Sequence, residues 1–166
     1  RFCVEVKHQG CLIEEYIAQA PELARPNSSS VNTIRAYTLI NKKGTCELIF
    51  AALRVGGPNA RVDNYHSGGV GYAIDLDSGI ISQPGADMMG NRYIYHPSTN
   101  FLMVGFRVPR WEEIREFVSR AANVFPECRY IGWDVAVTKR GLEMIEGNYS
   151  ADHQLLQALD RVGKRR

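Results

Sequence analysis

The sequence predicts an α+β fold, on three observations. Two pairs of strand-favouring segments are each joined by a short turn, one long stretch has clear helical spacing, and strands and helices alternate without a regular βαβ rhythm.

Residues 1–6 look extended, and residues 12–20 (LIEEYIAQA) combine apolar residues with helix formers and are limited by Pro21. Two prolines, an asparagine and three serines between residues 21 and 30 predict a surface loop. Residues 33–40 (TIRAYTLI) and 46–54 (CELIFAALR) flank Asn41-Lys42-Lys43-Gly44, a good turn, and predict a β-hairpin. A glycine-dense stretch follows. Residues 73–81 (AIDLDSGII) read as a short hairpin turning at Asp77-Ser78-Gly79, and residues 82–108 have no regular pattern.

Residues 111–125 are the clearest helix. Trp111, Ile114, Phe117, Val118, Ala121 and Phe125 repeat at helical spacing, Glu112 and Glu113 suit the positive end of the dipole, and Pro126 stops the element. Residues 131–138 (IGWDVAVT) and 142–147 (LEMIEG) predict a second hairpin. A last helix is expected from Ser150, a good N-cap, with Leu155, Leu156, Leu159 and Val162 on its apolar face.

Length and composition bound the function. The 166 residues amount to one domain or part of a larger one, with a formal charge of +2 and 45% hydrophobic residues. That excludes a strongly basic nucleic-acid platform, and no apolar run is long enough to span a membrane. The aromatic residues follow core periodicity, not a base-stacking pattern. Cys3, Cys11, Cys46 and Cys128 lie far apart, which argues against a zinc site and a disulfide framework and points to reduced, cytosolic thiols. The chain begins at Arg1, so it is expected to be a segment of something longer.

The stretch 133–148 carries the most chemistry. With Lys139-Arg140-Gly141 as a three-residue loop, Asp134 lies directly opposite Glu146, and alternation puts Asn148 on the face of Glu146. Opposed like charges destabilise a sheet unless a cation joins them, and hard divalent ions prefer such oxygen ligands. Magnesium takes one or two carboxylates and completes its shell with water and phosphate oxygens. The alternatives are solvated acids, or acids neutralised by neighbouring arginines. In Asn64-Tyr65-His66-Ser67-Gly68-Gly69, the paired glycines let backbone amides approach an anion, with an imidazole and a carboxamide alongside; an ordinary surface loop is the competing reading. Arg35 and Arg54 stand at the ends of the first hairpin remote from its turn, where guanidinium forks can bind phosphate or carboxylate, or simply solvate a strand end. His8, His96 and His153 show no ligand spacing, and no Ser-His-Asp or Cys-His arrangement is legible.

Taken in order, LIEEYI, SVNTIR, AALR, DNYHSGG, GWDVAVT and MIEGNYS resemble the C-terminal part of an ATP-grasp ligase, and the wording of nearly the whole chain is similar to the sugar-transfer-associated ATP-grasp proteins. The resemblance implies an ATP-grasp C-terminal lobe, a mainly antiparallel sheet flanked by helices, that uses ATP and Mg²⁺ in cell-surface polysaccharide or sugar-linked peptide assembly. It implies that Asp134, Glu146 and Asn148 hold Mg²⁺, with Glu146 bridging two ions. Glu14, Glu15 and Tyr16, with the backbone to Ile17, would line the adenine site, and Gly68 and Gly69 would approach the nucleotide. Arg35 would reach phosphate or an acyl phosphate, while Arg54, Asn64 and His66 would bind phosphate or acceptor. The implied partners are a small-molecule carboxylate and an amine or sugar-linked acceptor, together with the N-terminal lobe of the same protein. That lobe supplies lysines to the triphosphate, and Lys7 has no obvious equivalent place. Thr33 stands where related ligases often carry an acid. Residues 82–108 fall outside the shared core and are expected to shape acceptor choice. A non-catalytic nucleotide-binding module and a phosphotransferase are the alternatives on the same scaffold.

Overall fold

The computed structural model describes residues 15–63, 65 and 68–160. The described chain is α+β: helix α1 (Pro21–Ala24), strands β1 (Thr33–Ile40), β2 (Cys46–Val55), β3 (Val70–Ala73), β4 (Gly85–Ala86) and β5 (Arg92–Tyr93), helix α2 (Trp111–Val124), strands β6 (Tyr130–Val137) and β7 (Leu142–Asn148), and helix α3 (Gln154–Asp160). The seven strands form one antiparallel sheet in the order β5-β4-β3-β2-β1-β6-β7.

Local chemistry explains the two hairpins. In the β1–β2 turn the Asn41 carboxamide accepts from the Lys43 and Thr45 amides at 2.9 and 3.1 Å, and Gly44 takes the left-handed φ of 80° that closes it. The β6–β7 turn is tighter than the expected three-residue loop. The Thr138 amide donates to Gly141 O at 2.8 Å, so only Lys139 and Arg140 make the loop.

Each inner strand separates two environments. On one face Ile34, Ala36, Leu53, Val55, Trp133 and Val135 meet Trp111, Ile114, Val118 and Ala122 of α2 in the main core. Burying side chains such as Ile114 and Leu53 contributes about 1.5–3 kcal/mol each. On the other face Tyr37, Phe50 and Ala52 meet Leu155, Leu156 and Leu159 of α3, covering only part of the sheet. Gly132 lets the segment leading to α3 lie against β6, because a Cβ there would stand 2.5 Å from that of Ala151.

Several elements differ from expectation. Residues 15–18 take no helix, Gln19 bridges Thr138, and the helix begins at Pro21 instead of stopping there. Proline fits a first helical position, where its missing N–H would have had no intrahelical acceptor. The proposed loop at 21–30 therefore opens with a helical turn, while residues 12–14 lie outside the described set, as do residues 1–6, Val162 and the basic tail. The 73–81 hairpin is instead a turn, in which the Asp75 carboxylate accepts from the Ser78 amide and hydroxyl at 2.8 and 2.6 Å. Helix α2 buries Ala122 and leaves Phe125 exposed beyond its end. Helix α3 starts at Gln154, whose amide is accepted by Asp152 Oδ1 at 2.8 Å, not at Ser150. Within 82–108, β4 and β5 extend the sheet edge, and His96 is fully buried. Cys46 and Cys128 are free thiols, and no helix among the described residues is long and apolar enough to cross a membrane.

Candidate functional site

The polar positions of β1, β2 and β6 share one end of the partly covered face, beside α3. Arg35 on β1 pairs in register with Asp134 on β6, and Thr33 on β1 pairs with Arg54 on β2. Alternation places all four side chains on that face. Asp134 is 2% exposed, so its charge has to be met within the protein. Arg35 meets it with a fork, Nε on Oδ1 and Nη2 on Oδ2, the latter at 2.8 Å, and Arg54 Nη2 reaches Oδ2 at 2.9 Å. A carboxylate offers about four lone-pair positions. The described residues take three, one on Oδ1 and two on Oδ2.

Glu146 reaches this cluster through a register shift. Next to the turn, Val137, Ala136 and Val135 pair with Leu142, Glu143 and Met144; beyond it Asp134 pairs with Glu146. Ile145 is the extra residue of a β-bulge that moves the register by one. The expected opposition of Asp134 and Glu146 is therefore present, produced by a shorter loop and a bulge together. Glu146 has a half-exposed side chain, lies 3.8 Å from Arg35, and accepts from Asn148 Nδ2 at 2.8 Å.

Asp63 completes the cluster and is a residue that reading of the sequence passed over. It is 5% exposed, accepts from the Thr33 amide at 2.7 Å and from the Thr33 hydroxyl, and lies 3.3 Å from Arg54 Nη2. The available signal was its place at the head of DNYHSGG, next to the 64–69 stretch read for its anion-binding character. Two guanidiniums among Asp63, Asp134 and Glu146 leave one net negative charge. Burial pushes the Asp63 carboxyl up, against the opposing pull of Arg54 and Thr33. Burial also works to lower Arg35, but the hydrogen bond and charge of Asp134 outweigh it and hold the guanidinium above its ordinary value.

These groups floor a cavity of about 530 Å³ whose far wall runs through Tyr149, Ser150, Ala151 and Asp152 to Leu155. Tyr37 closes its base, donating to Asp152 O at 2.9 Å. Exposed Val62 and Tyr149 stand on the rim.

A second cavity, about 560 Å³, opens at the turn end of the same hairpin between residues 15–18 and residues 138–143. Glu15, Tyr16 and Ile17 line it, and Glu15 lies 3.5 Å from Arg140. From Leu142 to Glu146 is about 13 Å along a strand. The two cavities thus sit at opposite ends of one hairpin. Glu14, Asn64 and His66 lie outside the described residues. Gly68 is exposed at a left-handed φ of 89°, Gly69 is buried, and neither lines the two cavities.

Among the described residues no cluster of three His, Cys, Asp or Glu side chains is arranged to hold a metal ion. Asp134, Glu146 and Asn148 bring oxygen atoms to the lining of one cavity, the donor type that hard divalent ions prefer.

A family model described as sugar-transfer associated ATP-grasp matches residues 2–163. No curated protein and no solved structure matches the chain significantly. The chain belongs to the sugar-transfer-associated ATP-grasp family, an ATP-dependent, ligase-type family.

Proposed function

We propose that this ATP-grasp chain is the phosphate-handling lobe of an ATP- and Mg²⁺-dependent carboxylate–amine ligase working in cell-surface polysaccharide or sugar-linked peptide assembly. The observation that carries the reading is the convergence of Arg35, Arg54, Asp134, Glu146 and Asn148 on one cavity floor. Phosphoryl transfer asks a protein mainly for positioning and charge stabilisation, and that floor offers fixed guanidiniums next to carboxylates.

In this scheme an oxygen of the donor carboxylate attacks the γ-phosphorus, the bond to ADP breaks, and an acyl phosphate forms. The amine nitrogen then attacks the acyl carbon, inorganic phosphate leaves, the amine loses a proton, and an amide results. Magnesium held by Glu146, Asn148 and Asp134 would neutralise phosphate charge. Arg35 stabilises the acyl phosphate, held above Asp134 by its two-point contact. Arg54 serves phosphate or acceptor from the neighbouring strand; His66 and Asn64 are proposed for the same role, and Gly68 and Gly69 for the nucleotide, on the family resemblance alone. Glu15, Tyr16 and Ile17 line the cavity offered for adenine at the other end of the hairpin, with Glu14 adjacent in sequence.

One observation favours a second reading. Asp134 is already neutralised by two arginines, as it would be in a nucleotide-binding module without turnover. Incubating the complete protein with ATP, Mg²⁺, candidate carboxylates and hydroxylamine separates the readings. ADP release with hydroxamate formation supports the ligase. A stable phosphorylated acceptor would make it a phosphotransferase, and nucleotide binding without ADP release would make it a module.

A further inference from the structure

The geometry points to Thr33 and Asp63 as positioning residues that aim Arg54 into the site cavity. Every bond that Arg54 makes to the described residues runs from Nε or Nη2. Nε and Nη2 donate to Thr33 Oγ1 at 3.2 and 2.9 Å, and Nη2 also faces Asp63 Oδ1 at 3.3 Å and Asp134 Oδ2 at 2.9 Å. The guanidinium is planar, so fixing those two nitrogens fixes the direction of Nη1. The side chain is 14% exposed and lines the cavity.

The Thr33 hydroxyl has no freedom left in this arrangement. A hydroxyl has one donor and two acceptor positions. It donates to Asp63 Oδ2 and accepts twice from Arg54. Asp63 in turn uses Oδ2 for the Thr33 hydroxyl and amide and Oδ1 for Arg54. Only a carboxylate can accept on both sides; an asparagine would present its NH₂ to Thr33 or to Arg54. Position 33 thus lacks an acid, and Asp63 from a distant loop supplies the negative charge through the threonine. The functional consequence rests on the ligase reading above, whereas the positional claim does not.

The test is ¹⁵N-arginine NMR of the 166-residue chain, with the Arg54 Nε–H resonance assigned by its loss in Arg54→Lys. Thr33→Val keeps the β-branched shape but removes the hydroxyl, and Thr33→Ser keeps the hydroxyl. The Arg54 Nε–H should exchange with solvent at least tenfold faster in Thr33→Val and Asp63→Asn, and within threefold of wild type in Thr33→Ser, while the Arg35 Nε–H stays unchanged. Should Thr33→Val fail to fold, Asp63→Asn carries the same test. An Arg54 resonance as protected in both variants as in wild type overturns the proposal, as does equal loosening of Arg35, which would mark a merely structural role. Mg·ATP turnover of the complete protein then reads the functional half. Thr33→Val should lower kcat about 10- to 100-fold with KM for ATP within threefold. If wild type shows no turnover, the ligase reading fails while the NMR result stands.

Discussion

The two faces of β1, β2 and β6 are made by alternate residues of the same strands, yet they do different work. Ile34, Leu53 and Val135 face α2 and are fully buried in an apolar core. One residue along each strand, Thr33 and Arg35, Arg54, and Asp134 face the other way and form a charged floor beside a cavity. The apolar face is sealed along the centre of the sheet by a fourteen-residue helix; the polar face is covered only in part, by the seven-residue α3. Stability can therefore be changed on one face and ligand chemistry on the other, with Asp134 as the exception that belongs to both.

That exception gives the largest expected effect. Asp134→Ala leaves Arg35 and Arg54 buried without their shared carboxylate, and should cost about 3–5 kcal/mol. Urea denaturation checks this; a loss below about 1 kcal/mol would show that the floor is solvated and the faces are not as different as their burial implies. Next, Leu53→Ala should cost about 3 kcal/mol through the cavity it leaves in the core. Nucleotide affinity per folded molecule should be unchanged, and a parallel loss of affinity would break the separation between faces.

Arg35→Ala in the complete protein should lower turnover about 10²-fold while changing ADP affinity far less. Equal losses in both would move Arg35 from the reacting phosphate into the nucleotide site. The smallest effect is a pH dependence belonging to neither face. Burial holds the His96 imidazole below its ordinary pKa of 6.5, opposed by a backbone contact with Gly56. Between that lowered value and 6.5 the unfolded chain binds more protons, so this stabilisation is complete above 6.5 and is lost as pH falls toward the lowered value. Urea midpoints measured from pH 7.5 to 5 should fall less steeply in His96→Gln; identical slopes would remove His96 from the account.

What could be read in the sequence follows the range of the interactions. Both long hairpins and the helix at residue 111 rest on turns and periodicities spanning a few residues, and they are present. The opposition of Asp134 and Glu146 was legible only in its outcome. A three-residue loop and a two-residue loop with a bulge at Ile145 give the same pairing beyond Val135, and nothing local announces that bulge. Pro21 was read as a stop because proline ends helices as readily as it begins them. The Thr33–Asp63–Arg54 cluster was illegible because its members come from two strands and a loop and meet only when the sheet forms. The same holds for the pairing of Arg35 with Asp134, ninety-nine positions apart.

Calorimetric titration of the chain with ADP, with and without Mg²⁺, alongside Glu146→Gln, tests the central claim most directly. Glu146 is half-exposed at the open end of the floor, so its amide variant should fold within about 0.5 kcal/mol of wild type. The account predicts Mg²⁺-dependent ADP binding in wild type that is lost in Glu146→Gln. A folded Glu146→Gln chain with unchanged Mg·ADP affinity would contradict it.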